Sequence, residues 1–484
     1  MGIVFKQTAS NTLITYLGFG IGAINTLFLY TRFLTEEYFG LVGVILSTST
    51  ILMPILAFGV PNTMVKYYSS FRNTEDTEGF LTLMLLLPLL FIIPISAIAY
   101  FTYDVVGSLL SNKNAIVKDY VWHIVLIGLA MAYFEVFYAW AKVQMKSVFG
   151  NFMKEVFVRL GVTVLLIILY LDFITVTTFL KALVALYLLR TIIMKLYAYS
   201  LKRPRLHFKF PKNTSTILKY SFLIIIGGST AVVLLEIDRF MINQFIKIEN
   251  VAYYSVAIFI ATVISVPARA MHQITYPLTA QILNEKDMHA LKQLYQKSSL
   301  TLFLMSGLIF TLIVLNLNDL YALLPETYSG GLIVVVLIGL AKVFDALLGN
   351  NNSILYNSDH YRWVLLMGVF LALLTIGLNL WLIPVYGLNG AALATFLAIG
   401  IYNMAKFFYV RSKFGIQPLT LATFKVVCLL LLVGILFYIV PFTFHPVLNI
   451  LLKSTALVII YFWVLLRFNI SDDVHRMLLK FLKR

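Results

Sequence analysis

The sequence predicts an all-α polytopic membrane protein with fourteen transmembrane helices, and three observations support that prediction. Of the 484 residues, 61% are hydrophobic and only 12% are charged, whereas soluble domains have about 45–50% apolar and about 25% charged residues. Apolar blocks such as residues 81–101 are as long as the roughly 20 residues that a helix needs to cross a bilayer. They also lack the alternation over about ten residues that marks the strands of an outer-membrane barrel. These observations exclude a soluble enzyme and a barrel.

Each span is placed where an apolar block lies between polar breaks. The fourteen spans are expected near residues 10–34, 39–65, 80–103, 117–141, 153–171, 174–200, 216–245, 249–276, 296–316, 328–356, 361–382, 387–412, 419–440 and 446–467. Residues 1–200 then form an N-lobe of six helices, 201–215 a basic cytoplasmic linker and 216–412 a C-lobe of six helices. Residues 413–484 form a final helix pair and a basic cytoplasmic tail.

The lysine and arginine residues predict the orientation of the chain, because cytoplasmic loops carry an excess of both. With a cytoplasmic N-terminus, most of the 37 basic residues fall in cytoplasmic loops, tails or adjoining helix ends. Five fall on the opposite side: Arg32, Lys113, Lys118, Lys247 and Lys453. Both termini are therefore expected in the cytoplasm. The same loops, facing anionic lipid, explain the net charge of +16 without a nucleic-acid partner.

A weak internal repeat relates the two halves. The string EYFGLVGV at 37–44 aligns with ENVAYYSV at 249–256, an offset of 212 residues. At nearly the same spacing, Pro54 and Pro267 interrupt the second and eighth spans. Because six spans return the chain to its starting side, the halves are expected to be parallel repeats, which recur in transporters with a substrate site at their interface.

Four strings resemble the polysaccharide (O-antigen type) flippases of the multidrug/oligosaccharidyl-lipid/polysaccharide (MOP) superfamily. TRFLTEEYFGLVGVILS at 31–47 resembles the Arg-x-Leu, Glu-Glu-Tyr-Gly stretch between that family's first two spans, and FGVPNTMVKYYS at 58–69 resembles the end of its second span. EIDRFMINQFIKIENVAYYSVA at 236–257 is similar to the Asp-Arg and Tyr-Ser signatures of spans seven and eight. LIPVYGLNGAALATFLA at 382–398 is similar to the stretch between spans eleven and twelve.

The resemblance implies a MATE-like fold and a flippase of the inner membrane. Its substrate would be a polyprenyl-pyrophosphate-linked oligosaccharide, moved from the cytoplasmic to the periplasmic leaflet by alternating access. The product would serve the biosynthesis of a surface polysaccharide such as O-antigen of lipopolysaccharide, capsule or exopolysaccharide. The expected partners are the lipid-linked substrate, the bilayer, and the polymerase and glycosyltransferases of the same pathway.

Three other functions are considered against the flippase. A multidrug antiporter of the same superfamily would need acidic residues to bind a cation in the N-lobe, yet span one contains no Asp or Glu. A flippase for peptidoglycan precursors has the same plan of spans, but the quoted strings resemble the polysaccharide branch more closely. A polysaccharide polymerase or ligase would need catalytic groups on a sizeable external loop, and the external loops are short.

Charged residues inside spans are candidate site residues, because a charge at the centre of a bilayer costs about 2.5–3.5 kcal/mol on insertion scales. Four cations could bind the pyrophosphate or acidic sugars: Arg239, Arg269, Arg32 and Lys342. Each could instead pair locally or extend to an interface. For Arg32, at the end of span one, an interfacial anchor and a ligand contact remain equally open.

Three acids are expected to be structural partners or coupling groups: Asp238, Asp345 and Glu135. Asp238 adjoins Arg239, and Glu236 lies three positions before Arg239. Lys342 and Asp345 are three positions apart on one helical face and could neutralise each other. Such a pair could also be the place where a coupling ion acts.

Other residues are expected to bend helices or to pack. Gly18, Gly20, Gly22, Pro54 and Pro267 supply the backbone freedom or missing hydrogen bonds that helix bending needs. The asparagine run at 349–353 could bind sugar hydroxyls or make interhelical hydrogen bonds. The single cysteine and seven scattered histidines show no metal-ligand pattern, so neither a metal nor a cofactor nor a catalytic group is predicted.

Overall fold

A computed structural model of the protein describes residues 2–71, 74–440 and 442–468. All regular secondary structure in those ranges is helical, which confirms the all-α fold class. The basic tail expected at the C-terminal end lies outside the described residues.

The chain forms two compact units, residues 1–255 (unit 1) and residues 256–484 (unit 2). The boundary between the units falls inside α12. The seventh long helix, α11, comes before that boundary and packs with the N-terminal helices in unit 1. The predicted lobe boundaries at residues 200 and 216 stay predictions.

Unit 1 contains eleven complete α-helices and the first half of a twelfth. They are α1 (Gly2–Ile24), α2 (Tyr30–Phe33), α3 (Glu36–Leu56), α4 (Val60–Tyr67), α5 (Thr74–Phe101), α6 (Tyr103–Leu110), α7 (Val121–Val143), α8 (Val148–Phe152), α9 (Val158–Tyr170), α10 (Val176–Leu201), α11 (Thr214–Phe245) and α12 (Glu249–Thr262). Two π-helical segments, Asn25–Leu29 and Met153–Phe157, join α1 to α2 and α8 to α9 without a break in the helix. Large side chains of α5, α7 and α10, including Phe80, Trp140 and Met194, are fully buried in the core of this unit.

Unit 2 contains the second half of α12 and eight further α-helices. They are α13 (Val266–Asn284), α14 (Met288–Leu315), α15 (Leu317–Ala322), α16 (Leu332–Leu347), α17 (Asn351–Tyr356), α18 (Tyr361–Phe414), α19 (Leu421–Ile439) and α20 (Pro446–Arg467). The last two helices pack on α14, where Val426, Leu457 and Tyr461 are buried.

Eleven helical stretches of the described residues are long and apolar enough to cross a membrane. One of them lies in α18, whose 54 residues would extend about 80 Å at 1.5 Å per residue, far more than a bilayer core of about 30 Å. The backbone of Gly387 (φ 57°, ψ −133°) breaks α18 in two, at the predicted boundary between spans eleven and twelve. Two more long helices, residues 148–170 and α11, lie where spans five and seven are predicted. The chain is a multi-pass membrane protein, and the count of fourteen stays a prediction.

Candidate functional site

A charged cavity of about 390 Å³ lies inside unit 1, among α3, α7, the helix at residues 148–170, α10 and α11. Its volume is within the range of about 300–1,000 Å³ that is usual for ligand pockets. It is lined by Thr50, Met53, Met131, Glu135, Lys154, Glu155, Arg159, Tyr187, Arg190, Val232, Leu235 and Glu236. Six of these twelve side chains carry charge, in a protein whose charged fraction is only 12%.

Each acidic side chain in the wall has a basic partner. Lys154 Nζ lies 2.6 Å from Glu135 Oε1. Arg159 Nη1 lies 2.9 Å from Glu155 Oε2, one helical turn away. The third acid, Glu236, accepts a hydrogen bond of 2.6 Å from Arg239 Nη1. Two of the three carboxylates are therefore neutralised within the wall, and Glu236 is neutralised by Arg239 at its border.

Arg190 is the remaining cation of the cavity wall. Only 6% of the residue is exposed, and its guanidinium lies 4.0 Å from the ring centre of Phe134 and 4.8 Å from that of Tyr187. Its Nε donates no hydrogen bond to any residue that the structure describes. The two rings stabilise the cation only in part, and Glu135, which attracts it, is already paired within the wall. With Arg239 at the border counted, four cations and three carboxylates surround the cavity, which is therefore one positive charge in excess and suited to an anion.

A π-helical segment positions two of the charged pairs. Lys154 and Glu155 lie in the π segment Met153–Phe157, and such bulges occur frequently at functional sites. Helix α1 packs directly against this segment, because a Cβ on Gly18 would lie 2.5 Å from the carbonyl oxygen of Glu155. Asn25, in the other π segment, donates a hydrogen bond of 2.8 Å to the carbonyl oxygen of Arg159. The two irregular segments thus support the same wall.

A second cavity of about 200 Å³ adjoins the first and shares Met53, Glu135, Lys154 and Val232 with it. Its other wall is the break between α3 and α4, where Phe58 (φ 47°) and Gly59 (φ 64°) adopt left-handed backbone conformations. The predicted helix-bending residue Pro54 lies three positions before the start of this break at Ala57. The interruption of span two therefore lies beside the charged cavity.

The predicted site residues of unit 1 have different surroundings. Glu135 lines the cavity, and Arg239 borders it through Glu236 and also donates from Nε to Ser255 Oγ at 3.0 Å. Asp238 is buried and accepts a hydrogen bond from the hydroxyl of Tyr254. Arg32 is exposed in the last turn of α2 and does not line this cavity.

The other predicted site residues lie in unit 2. Arg269 is exposed on α13, and Lys342 is half-buried on α16. Asp345 lies 3.6 Å from Nζ of Lys406, a lysine of α18 whose side chain is only 1% exposed. Lys406 also donates a hydrogen bond of 3.1 Å to Asn352 Oδ1. Lys406 is not among the candidates named from the sequence, although a lysine within an apolar span is a signal that could have identified it.

The asparagine run makes interhelical hydrogen bonds. Asn350 Nδ2 donates to Thr279 Oγ1 at 2.9 Å, and Asn351 Nδ2 donates to the Tyr295 hydroxyl at 2.7 Å. Together with the bond from Lys406 to Asn352, these contacts join α13, α14 and α18 to the start of α17. The run therefore supports packing within unit 2.

The remaining predicted residues concern helix bending. Gly18 and Gly22 are buried, whereas Gly20 is exposed. Pro267 is in the first turn of α13, directly after the 3-10 turn Val263–Ser265. Their role in a bending motion stays a prediction.

The cavity in unit 1 could be predicted only in part from the sequence. The candidate residues named there include Glu135 but not Lys154, Glu155 or Arg159. Three charges within six residues of one apolar helix were the signal that could have identified this wall. Within the described residues, no cluster of three His, Cys, Asp or Glu side chains could hold a metal ion.

A family model described as polysaccharide biosynthesis protein matches residues 4–283, more than half of the chain. The chain belongs to this family. The matched region includes every residue of the charged cavity. No curated protein sequence matches the chain.

Solved structures show the fold. The lipid II flippase MurJ, in an inward closed conformation, is similar with a TM-score of 0.73 over 95% of this chain and 99% of that protein, at 13% sequence identity. A multidrug resistance MATE family transporter of the MOP superfamily, in an inward-facing conformation, is similar with a TM-score of 0.64, at 14% identity over 84% of this chain and 94% of the transporter. The chain therefore has the fold of MOP superfamily transporters, as its resemblance to that superfamily implied.

Proposed function

We propose that this protein is a flippase that moves a polyprenyl-pyrophosphate-linked oligosaccharide across the inner membrane, from the cytoplasmic to the periplasmic leaflet. The family supports a role in polysaccharide biosynthesis, and the fold supports transport. The single observation that carries the choice of substrate is the buried guanidinium of Arg190 in the wall of a charged cavity, whose Nε donates no hydrogen bond to any described residue.

A pyrophosphate suits this cavity for electrostatic reasons. An anion that approaches Arg190 can accept the hydrogen bond that its buried Nε lacks, and guanidinium binds phosphate oxygens through paired hydrogen bonds. The adjacent Lys154 and Arg159 can exchange their carboxylate partners for phosphate oxygens, since both pairs line the same space. Glu135 and Glu155 would then be released as hydrogen-bond acceptors for sugar hydroxyls.

The lipid tail cannot enter this polar space and remains in the bilayer, so only the headgroup crosses inside the protein. We propose that transport follows alternating access, with the repeat-related helices moving about the site. The remaining predicted cations, Arg32, Arg239, Arg269 and Lys342, and the acids Asp238 and Asp345 remain proposed contributors to binding or coupling. The products would enter surface polysaccharide assembly through the glycosyltransferases and polymerase of the same pathway.

A multidrug antiporter is an alternative whose fold is similar, and the cavity argues against it. A site for an organic cation needs an acidic group that is free to bind it, and each acid in this wall already has a basic partner. With Arg239 at the border counted, the charge around the cavity is positive by one.

The test is flipping of a panel of lipid-linked oligosaccharides by the purified protein in liposomes. Replacing Arg190→Gln should lower the initial rate by about tenfold to a hundredfold, because a hydrogen bond to a charged group contributes about 1.5–3 kcal/mol. Arg190→Lys should retain part of the rate, since it keeps the charge and loses the paired geometry. Lys195→Gln, an exposed cation of the same helix, is the matched control and should flip at the wild-type rate.

Two results would overturn the proposal. One is a wild-type rate for Arg190→Gln in every lipid of the panel, which would remove Arg190 from the site. The other is uptake of cationic dyes without flipping of any lipid-linked sugar, which would establish the antiporter.

A further inference from the structure

The segment between α10 and α11, residues 202–213, is a non-helical strap that is attached to unit 1 along its length. Trp140 Nε1 donates to the carbonyl oxygen of Lys202 at 3.2 Å, close to the start of the strap. Thr214 Oγ1 donates to the carbonyl oxygen of Pro211 at 2.6 Å, close to its end. Between these points the backbone runs beside the first turns of α5. The strap is thus a fixed part of the surface.

The backbone contacts recur at every second residue. Thr82 Oγ1 donates to the carbonyl oxygen of Arg205 at 3.3 Å and accepts from the amide of His207 at 3.0 Å. The carbonyl oxygen of Lys209 approaches Gly79 so closely that a Cβ there would clash with it. A period of two is the signature of extended chain, so neighbouring side chains of the strap project to opposite sides.

The two sides of the strap differ in chemistry. One carries Leu206, Phe208 and Phe210, which are 63%, 68% and 41% exposed. The other carries Arg205, His207 and Lys209, and exposed basic residues also precede and follow at Arg203 and Lys212. The strap is therefore an amphipathic segment, and unit 1 does not cover its apolar side.

The position at which the strap contacts α5 indicates what covers the apolar side of the strap. Helix α5 begins with the polar sequence TEDTE at 74–78 and continues with the apolar GFLTLMLLL at 79–87. The strap contacts α5 at Glu78, through an ion pair of 3.7 Å from Arg205, and at Thr82. It thus lies where a membrane-spanning helix changes from polar to apolar, which is the level of the lipid headgroups.

We propose that residues 203–212 form a binding surface for anionic lipid, in which Leu206, Phe208 and Phe210 insert among the acyl chains and the flanking cations contact headgroup phosphates. Amphipathic segments with basic polar sides bind at this depth through buried apolar area and attraction to anionic lipid. The strap joins α10 to α11 within unit 1, so lipid bound here fixes the start of α11. The inference rests only on the chain being a membrane protein, and it stands or falls separately from the proposed substrate.

The experiment is site-directed spin labelling of the full chain in lipid nanodiscs. Cys428, the single cysteine, is first replaced by alanine. Labels are then placed at Leu206→Cys and Phe208→Cys on the apolar side and at Lys209→Cys on the basic side. Ile435→Cys on exposed α19 and Glu285→Cys in an exposed turn are the lipid and water references. Collision rates with oxygen and with a water-soluble nickel chelate are measured in discs with and without phosphatidylglycerol.

Labels at 206 and 208 should follow the lipid reference, and the label at 209 should follow the water reference. Without phosphatidylglycerol, or after Arg203→Gln with Lys212→Gln, the labels at 206 and 208 should shift toward the nickel chelate. Equal nickel access at 206, 208 and 209 would overturn the membrane insertion. Protection of 206 and 208 from both reagents would show a protein contact instead, and indifference to phosphatidylglycerol would refute the anionic lipid.

Discussion

The ion pair of Lys406 and Asp345 is asymmetric, because the lysine side chain is 1% exposed and the aspartate side chain is 47% exposed. Removing one partner leaves the other charge without compensation, and the cost depends on how deeply that charge is enclosed. The two single substitutions at this pair should therefore have very different effects.

We expect Asp345→Ala to destabilise the protein by about 3–5 kcal/mol, because it leaves a buried ammonium without its carboxylate. Lys406→Met should cost less, since half of the remaining carboxylate lies outside the packed interior. The double variant should be about as stable as Lys406→Met alone. The measurement is the free energy of unfolding in detergent micelles, and additive effects of the two substitutions would contradict the coupling.

Charged residues within spans could be found from the sequence, but their partners could not. Glu135 was identified, yet its partner Lys154 is 19 positions away on another helix. Asp345 was considered with Lys342 because helical spacing makes neighbours of residues three apart, and the structure adds Lys406 from α18. Tertiary packing determines which charged residues pair, and a single sequence does not show that packing.

At the scale of elements, the glycines of α1 differ in what surrounds them. A Cβ on Gly18 would lie 2.5 Å from the carbonyl oxygen of Glu155 and 2.7 Å from Arg159 Nη1, whereas a Cβ on Gly20 would meet no atom within 4 Å. Gly18 thus permits close packing of α1 against the wall of the cavity, and Gly20 does not take part in it.

Gly18→Ala should therefore separate α1 from the π segment, disturb the Arg159–Glu155 pair and lower both stability and flipping. Gly20→Ala should raise stability by about 0.5–1 kcal/mol, because alanine favours helix over glycine at an uncrowded position. Thermal unfolding and the liposome assay measure the two effects. Equal behaviour of the two variants would show that packing at Gly18 has no role.

The end of α11 is held by a buried asparagine network in unit 1. Asn114 Nδ2 donates to the carbonyl oxygens of Asn243 and Ile246 at 2.8 and 3.0 Å, and its Oδ1 accepts from the amide of Ile248 at 3.0 Å. Asn243 in turn donates to the carbonyl oxygen of Leu110 at 2.9 Å. One side chain thus satisfies groups at the helix end that would otherwise be unpaired.

Asn114→Ala should cost about 2–4 kcal/mol, since several buried backbone groups lose their partner at once. Asn112→Ala is the control from the same turn, because Asn112 is exposed and makes one long contact of 3.5 Å to Gln244. It should leave the unfolding free energy within about 0.5 kcal/mol of the wild type. Hydrogen exchange at the backbone amides of residues 244–248 should rise in Asn114→Ala alone. Unchanged exchange there would show that the asparagine network does not hold the end of α11.

Predicted spans and observed helices agree where an apolar block has clear polar ends, as for α19 and α20. The π segments Asn25–Leu29 and Met153–Phe157 were not predicted, because a π-helical turn leaves the hydrophobic composition of a helix unchanged. The break at Ala57–Gly59 had local signals in Pro54, Gly59 and Pro61, and only the first was used. Composition defines where a helix lies, whereas its interruptions depend on backbone packing.

For the whole molecule, the orientation in the membrane rests on the distribution of charge. The strap at 202–213 carries Lys202, Arg203, Arg205, Lys209 and Lys212. The connection between α5 and α7, on the opposite side in the predicted topology, carries only Lys113 and Lys118. Since basic residues in short loops are retained in the cytoplasm, the strap is the strongest orienting signal in the chain.

Reporter fusions after residues 110, 210, 320 and 475 should therefore read outside, inside, outside and inside. The first three positions lie in the short helix α6, in the strap and in the short helix α15, so no membrane-spanning helix is cut, and residue 475 lies outside the described residues. Replacing the five basic residues of the strap by glutamine should weaken the inside signal after 210, because retention scales with their number. The control is five substitutions by glutamine at exposed cations that adjoin other predicted cytoplasmic loops, and it should change the reading less: Lys286, Lys292, Lys297, Arg411 and Lys413. An outside reading after residue 210 in the unmodified chain would reverse the predicted topology and the direction of transport proposed with it.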